Sequence, residues 1–476
     1  MIIDIRFNFQ INIGVNMDSH PWIPNLSEKD LRDMFKAIGI KDVKELFNDI
    51  PRKIVLKRIL KVGLNKPLSE IEVYKYVHRI LSKNKSIYDL RCFVGGGIWP
   101  HYVPAVVKEI IGRSEFYTSY TPYQPEASQG VLQALFEYQS LMSDLLEMDI
   151  VNASLYDWST AIAEAFLMTY RLNKRKKFLI PSTMNPRHLE VVKTITAPWR
   201  MEMIKIKYDA VNGVIDLNDL EDKIDENTGG VYIENPSFLG FIETQVDEIS
   251  KMVHENNSFF IVGVDPISLG ILRPPGKYGA DIVVGEGQPL GLGLNYGGPL
   301  LGIFAIKYDE KMLRQLPGRL IGMTKTLDGR DVGYTMVLQT REQHIRREMA
   351  TSNICTNESL CAITAAIYLS LLGRNGLRKI SENIFYKCNY ALKRFEELNG
   401  IEIPFSKAVH FKEFIVKYRD SSMDRVHKYL RKNGIQPGLS LKNDFPEFGE
   451  AALYCFTEIH SKDDIDFLIE KISEVI

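Results

Sequence analysis

Excess charge of either sign is missing from this sequence. Its 59 lysines and arginines stand against 60 aspartates and glutamates, a net charge of −1 over 476 residues. Nucleic-acid affinity rests on clustered positive charge, so the balance argues against a nucleic-acid protein. Cysteine is scarce and odd in number. Cys92, Cys355, Cys361, Cys388 and Cys455 are scattered, with no Cys-x-x-Cys pair and no Cys/His cluster at zinc spacing. The expectation is reduced thiols in a cytoplasmic protein with no metal site. No apolar run approaches the roughly 18 residues that cross a bilayer, so no membrane partner is expected. Residues 1–16 are apolar but broken by Asp4 and Arg6, and they lack a basic n-region and a small-residue cleavage site, which argues against a signal peptide. Met17 reads as the more natural start, and residues 1–16 read as an extension without an assigned role. No Gly-x-Gly-x-x-Gly opens a helix after a first strand and no Gly-Lys-Ser/Thr occurs, so neither a dinucleotide fingerprint nor a P-loop is present.

What is present is an ordinary globular composition, 45% hydrophobic and 25% charged, apolar enough to offset ordering entropy by burial. At roughly 150 residues per domain, the length allows about three domains or one large domain with attachments. Residues 17–90 read as a helical arm. Ser27 with Asp30 resembles a capping box, Leu31, Met34, Phe35 and Ile38 share one helical face, and Gly39 suits the stop. A second helix is predicted over Asp42–Asn48. From about residue 91 to 340, short apolar runs alternate with amphipathic stretches. The runs are Lys177–Ile180, Gly230–Ile233, Phe259–Val264, Asp281–Val284 and Leu301–Ile306, with helical patterns at Ala161–Leu172 and Val246–Glu255. That alternation predicts a large α/β domain around a mostly parallel, doubly covered sheet, whose ligand would sit at the strand carboxyl ends. Residues 341–476 read as linking helices, over Arg341–Met349 and Leu360–Leu372, followed by a small C-terminal α/β domain.

Five constellations could carry chemistry. Small and hydroxyl residues, Ser159 and Thr160 among them, open a strong helix; they could cradle a phosphate on free N–H groups or simply cap the helix. Asp265 ends the run Val262-Gly263-Val264. It could face a cationic heterocycle nitrogen or cap the next turn. The Gly285–Pro299 stretch permits close backbone approach without matching a nucleotide motif. Two loops, Phe93–Pro104 and Tyr120–Glu126, carry aromatic, amide and proline residues that suit a rigid binding wall. Arg341, His344, Arg346 and Arg347 lie near Asn353, Thr356 and Asn357, as an anion clamp or a solvated helix face.

Several of these segments together resemble the P protein of the glycine cleavage system, in the form of its separate subunit 1 (alpha). They are the triple-glycine segment 95–104, Tyr120-Thr121-Pro122-Tyr123-Gln124-Pro125-Glu126 with 128–133, Asn152-Ala153-Ser154 and Glu234–Gly240. Gly285–Pro299, Leu316-Pro317-Gly318-Arg319, 338–343 and 352–357 continue the resemblance, which runs from Met17 to Ile476. It implies a fold similar to fold type I pyridoxal-phosphate enzymes, in which a lysine after a late core strand holds the cofactor as a Schiff base. Between Tyr278 and Ile306 there is no lysine, and Pro289 occupies the corresponding place. Asp265 stands at the position resembling the pyridine-nitrogen aspartate.

The resemblance therefore implies a chain that acts with a second subunit carrying the lysine and the pyridoxal phosphate. Together they would decarboxylate glycine, held as an aldimine of the cofactor, release CO2 and pass the aminomethyl group to the lipoyl arm of H protein. No residue of this chain is assigned a certain catalytic role. Candidates for the wall of the partner's site are Tyr120, Thr121, Tyr123 and Gln124. Vestigial or cross-subunit cofactor contacts are Ser159, Thr160, Asp265, Ser352, Asn353 and Thr356. Two alternatives stay open: a self-sufficient pyridoxal-phosphate decarboxylase or aminotransferase using another lysine, and a non-catalytic scaffold subunit.

Overall fold

The computed structural model describes residues 27–55, 63–64, 67–352, 354 and 357–476. The extension 1–16 and the candidates Asn353 and Thr356 lie outside the described residues. The chain divides into two compact units that meet between Asn84 and Lys85. In the first, helix α1 (Glu28–Ile38) starts where Ser27 accepts the Asp30 N–H at 3.1 Å and ends at Gly39, whose φ is 80°. The predicted second helix is shorter, a 3-10 segment Val43–Phe47 capped by Asp42. Helix α2 (Glu70–Leu81) is closed by a Ser69/Glu72 capping box, and none of the residues of α1 or α2 is buried.

The second unit is built on a seven-stranded sheet. Its strands are β1 (Ile150–Val151), β2 (Lys177–Pro181), β3 (Glu202–Ile206), β4 (Thr228–Glu234), β5 (Phe259–Val264), β6 (Ile282–Glu286) and β7 (Gly302–Ile306), in spatial order β3-β2-β4-β5-β6-β7-β1. Strands β2 to β6 run parallel, while β7 is antiparallel to both neighbours. All five predicted runs are strands. The prediction lacked β1 and β3: β1 is only two residues long, and β3 is an edge strand that exposes Glu202 and Lys205. Side chains alternate between the faces, yet both faces are apolar. Val231, Ile233, Phe260, Val262 and Val283 enter one core; Tyr232, Ile261, Ile282 and Val284 enter the other. A sheet buried on both sides requires this continuous apolar reading.

Helices cover both faces. They include α3 (Gln129–Leu146), α4 (Trp158–Asn173), α5 (Pro186–Thr196) and α6 (Val246–Glu255). A hairpin of β8 (Leu320–Lys325) and β9 (Val332–Val337) follows the sheet. The helix predicted over Arg341–Met349 is not continuous. Leu338 (φ 53°) and Arg347 (φ 51°) adopt left-handed backbone, leaving only Gln343–Arg346 in α-helix between two 3-10 segments. Helix α7 (Ser359–Glu396) bends at Gly373. By length and composition α7 could cross a membrane, contrary to the reading that no run approaches that size. Here, however, it is a core spine. Ala362, Ala365 and Tyr368 enter the core beside the sheet, and Cys388, Ala391 and Phe395 enter the small-domain core.

The small domain has the predicted α/β pattern. It comprises β10 (Ile401–Glu402), β11 (Glu413–Tyr418), β12 (Leu439–Ser440) and β13 (Ala451–Cys455) in antiparallel order β10-β11-β13-β12, with α8 (Met423–Lys432) and α9 (Lys462–Ser473). Arg91–Cys92 pair with Ile435–Gln436, so the segment read as the start of the large domain begins on the small one.

Phe166 of α4 stacks on Phe178 of β2 at 4.3 Å and meets Tyr232 edge-on at 6.2 Å, fixing α4 against the sheet. Phe166→Ala is expected to cost about 3–5 kcal/mol in urea unfolding, the usual range for a buried phenyl ring. A cost under about 1 kcal/mol would show that α4 is not anchored there.

Candidate functional site

The parallel strands end in three acids. Glu234 closes β4, Asp265 follows β5, and Glu286 closes β6; all three are buried. Strand carboxyl ends are where such a sheet binds its ligand. An ionised carboxylate held away from water needs a cation or several hydrogen-bond donors, or it stays protonated. The cleft meets that demand with the chain's own groups.

Asp265 lies 2.7 Å from Nζ of Lys412, and both side chains are 4% exposed. Lys412 enters from the small domain, just before β11. Its ammonium sits 3.6 Å from the centre of the Trp99 ring, a cation–π contact, and donates to Nε2 of His101 at 3.3 Å. Nδ1 of His101 meets Glu458 at 2.8 Å. Burial works to raise the Glu458 carboxyl, but His101 and the Tyr102 N–H outweigh it and hold it down to about 2. The neighbouring Glu413 accepts from Trp99 Nε1 at 2.8 Å and from the Gly96 N–H at 2.7 Å. Burial still pushes Glu413 up to about 7, against the pull of Lys412 and those donors. The two domains touch closely here. A Cβ on Gly240, whose φ is 96°, would fall 1.9 Å from the Glu413 carbonyl oxygen.

The start of α4 is filled in the same way. Asp157 caps it, accepting from the Thr160 N–H at 2.8 Å, the Ser159 hydroxyl at 2.7 Å and the Thr160 hydroxyl at 2.5 Å. Glu286 accepts from the N–H groups of Gln288 and Leu301, each at 2.9 Å, and of Trp158 at 3.3 Å. Burial pushes Glu286 up to about 8 despite those donors. Trp158 closes over the sheet because Gly263 gives it room; a Cβ there would lie 2.7 Å from the indole. Gln288 donates to the Trp99 carbonyl at 3.0 Å and accepts from its N–H at 3.1 Å, locking the triple-glycine loop over the cleft.

Pyridoxal phosphate does not fit these residues. The helix N–H groups that would hold a phosphate are already engaged by the carboxyl groups of Asp157 and Glu286. The aspartate that would face a pyridine nitrogen is paired with Lys412. The remaining cavity, bordered by His188, Glu234, Ser237 and Lys412, is about 20 Å³, room for about one water molecule.

The other predicted residues lie elsewhere. Ser159 and Thr160 serve the Asp157 cap. Pro289 is buried in the turn after β6, beside Gln288. Tyr120, Thr121, Tyr123 and Gln124 do not line the cleft; Tyr120 is 70% and Tyr123 44% exposed. The Ser352 hydroxyl accepts the Ile354 N–H at 3.3 Å. Of the basic run, Arg341 is buried and donates to the carbonyls of Leu316 and Gly318, so it is a structural tie and not a solvated face. Sequence reasoning missed Lys412, Glu413, Glu286 and Gln288. The acids Glu286 and Glu413 carry no local motif, and only the fold brings Lys412 to Asp265.

Removing the cation should therefore be costly. Lys412→Met leaves Asp265 buried and unpaired, with an expected loss of about 3–5 kcal/mol; adding Asp265→Asn should recover most of it. An additive double variant would contradict the pairing. Glu286 gives a pH signature. Its carboxyl stays protonated in the folded chain above its ordinary 4.5, so folding takes up a proton between there and about 8. Its stabilising contribution is full below that window and falls as pH rises through it. The thermal midpoint of Glu286→Gln should fall less over this range than that of the unsubstituted chain. Parallel curves would contradict the assignment.

The comparisons with known proteins agree with this architecture. The family profile described as "Glycine cleavage system P-protein" matches residues 21–472. A relative named "Probable glycine dehydrogenase (decarboxylating) subunit 1", from Staphylothermus marinus, is 54% identical over 467 residues, covering 97% of this chain and 99% of the relative. One of the same name from Saccharolobus solfataricus is 47% identical over 461 residues, covering 97% and 99%. Among solved structures, a glycine decarboxylase (P-protein) of the glycine cleavage system in inhibitor-bound form superposes with a TM-score of 0.84 at 35% identity, covering 97% of this chain and all of that one. A Lactobacillus brevis glutamate decarboxylase shares the fold alone, with a TM-score of 0.66 at 13% identity and coverage of 88% and 94%. The fold is that of the fold type I pyridoxal-phosphate enzymes, and the chain belongs to the glycine cleavage system P-protein family, similar over nearly its whole length to members that are separate subunit 1 chains.

Proposed function

We propose that this chain is subunit 1 of a two-chain glycine dehydrogenase (aminomethyl-transferring, decarboxylating), inactive alone and active with subunit 2. The complex takes glycine, releases CO2 and transfers the aminomethyl group to the lipoyl arm of H protein. Pyridoxal phosphate, which supplies the electron sink for the decarboxylation, belongs on subunit 2. The observation that carries this reading is the filled cleft. A chain that keeps the P-protein fold has Lys412 against Asp265, and Asp157 and Glu286 at the helix N-terminus. The absence of lysine between Tyr278 and Ile306 supports the same division of labour. A cytoplasmic location accords with Cys92, Cys361, Cys388 and Cys455 being unpaired among the described residues.

In this reading the chain acts through what it presents outward. The loop carrying Tyr120, Thr121, Tyr123 and Gln124 exposes two tyrosines and an amide, groups that can bound a small polar substrate and exclude water. Ser352 is proposed as a cross-subunit contact to the cofactor's phosphate side, with Asn353 and Thr356 beyond the described residues. A scaffold role, in which the chain only stabilises subunit 2, is the competing reading.

Reconstitution separates the two. Purified chain mixed with subunit 2, lipoylated H protein and glycine should release CO2, and neither chain alone should do so. Gln124→Ala should lower turnover by roughly 10-fold or more in a complex of unchanged mass, because misplacing one wall group commonly costs that much. Full turnover by Gln124→Ala and Tyr120→Ala in the intact complex would establish the scaffold reading instead.

A further inference from the structure

The aromatic loop exposes Tyr120, Tyr123 and Gln124. Tyr123 makes one tight turn, its N–H reaching the Thr121 carbonyl at 2.8 Å. Beneath it lies a buried cation absent from every role described so far. Arg319 is 4% exposed, in the stretch just before β8. Its backbone is fixed to the rim of the sheet, where its carbonyl accepts the Ala153 N–H at 2.8 Å. Arg341 holds the turn before it through the Leu316 and Gly318 carbonyls.

From that base the guanidinium reaches three segments. Nη2 donates to the Tyr123 hydroxyl at 3.1 Å. Nη1 donates to Oδ1 of Asn357 at 3.4 Å, and the same oxygen accepts from the hydroxyl of Ser359, the first residue of α7. Nε lies 3.5 Å from Glu342, whose carboxylate, 8% exposed, balances the buried charge. His344, two residues beyond Glu342, meets the Tyr123 ring edge-on at 5.4 Å. One planar fork thus joins the aromatic loop, the broken turn around Glu342 and the start of α7. A lysine could satisfy one of these partners, not all three, because its ammonium is a point charge on a flexible stem.

We propose that Arg319 is the positioning residue of the complex's reaction on this chain: by holding the Tyr123 hydroxyl, it sets the attitude of the aromatic loop. This rests on the reading of that loop as a wall of the partner's site. A group that bounds a reacting substrate must be held within about 0.5 Å, and an exposed loop reaches that precision only when a rigid element anchors it.

The test uses the full complex with subunit 2, lipoylated H protein and glycine, at a saturating concentration of each variant chain so that weakened assembly cannot lower the rate. Arg319→Lys and Tyr123→Phe should each reduce kcat by roughly 10-fold. The double variant should be no slower than the worse single one, because both remove the same contact. Amide exchange in residues 118–124 should quicken in Arg319→Lys. If Arg319→Lys does not assemble, that exchange measurement on the chain alone still decides, and unchanged exchange would overturn the proposal. Independent, multiplying losses in the double variant would overturn it too, as would full turnover by Arg319→Lys beside an impaired Tyr123→Phe. Full turnover by both Tyr123→Phe and Gln124→Ala would instead sink the wall reading, and this proposal with it.

Discussion

A carboxylate at the end of a buried strand cannot stay charged without a counter-charge, and the pairing of Asp265 with Lys412 is the interaction on which the cleft depends. The resemblance to fold type I enzymes implied a heterocycle nitrogen of a bound cofactor against that aspartate. Here an ammonium from the small domain stands against it at 2.7 Å. The consequences spread outward. Lys412 lies on Trp99, Trp99 donates to Glu413, and Gln288 grips the Trp99 backbone from the turn after β6. The small domain, the triple-glycine loop and the sheet are thereby drawn onto one another. The same substitution of protein for ligand recurs at the α4 N-terminus. The N–H groups at a helix start engage oxygen acceptors, here the carboxyls of Asp157 and Glu286.

The burial of these acids explains their unusual protonation. Glu286 and Glu413 are both pushed up, to about 8 and about 7, because burial outweighs the N–H groups that favour their charged forms. Glu458 goes the other way because His101 stands against it. Perturbed acids of this kind often mark catalytic sites. Here only Glu413 of the three borders the cleft's cavity, which at about 20 Å³ is too small for an organic cofactor. The shifts record a packed polar core, and the chemistry we propose for the chain lies instead at its surface, around Tyr123 and Arg319.

Much of the frame was legible in the sequence. The run Phe259–Val264 is strand β5 residue for residue, and Asp265 falls at its end, where such a sheet places its ligand-facing acid. Central strands are legible because both faces are apolar. Edge strand β3 is not, since Glu202 and Lys205 on it meet water. The broken turns after Leu338 read as one helix in the sequence, because left-handed backbone at Leu338 and Arg347 leaves no trace in residue type. Ser159 and Thr160 illustrate the limit at the site: a hydroxyl opening a helix looks alike whether it meets a phosphate or Asp157. Lys412 was invisible for a different reason. Its role comes from the contact between two domains, and no local pattern encodes that.

We propose that this chain, its cleft closed by its own residues, leaves pyridoxal phosphate to its partner. The most direct measurement is to load the assembled two-chain complex with pyridoxal phosphate, reduce it with borohydride and map the modified lysine by peptide mass spectrometry. The adduct is expected on the partner chain and none on this one. A stoichiometric adduct on Lys412, the lysine that lies in the cleft against Asp265, would contradict it.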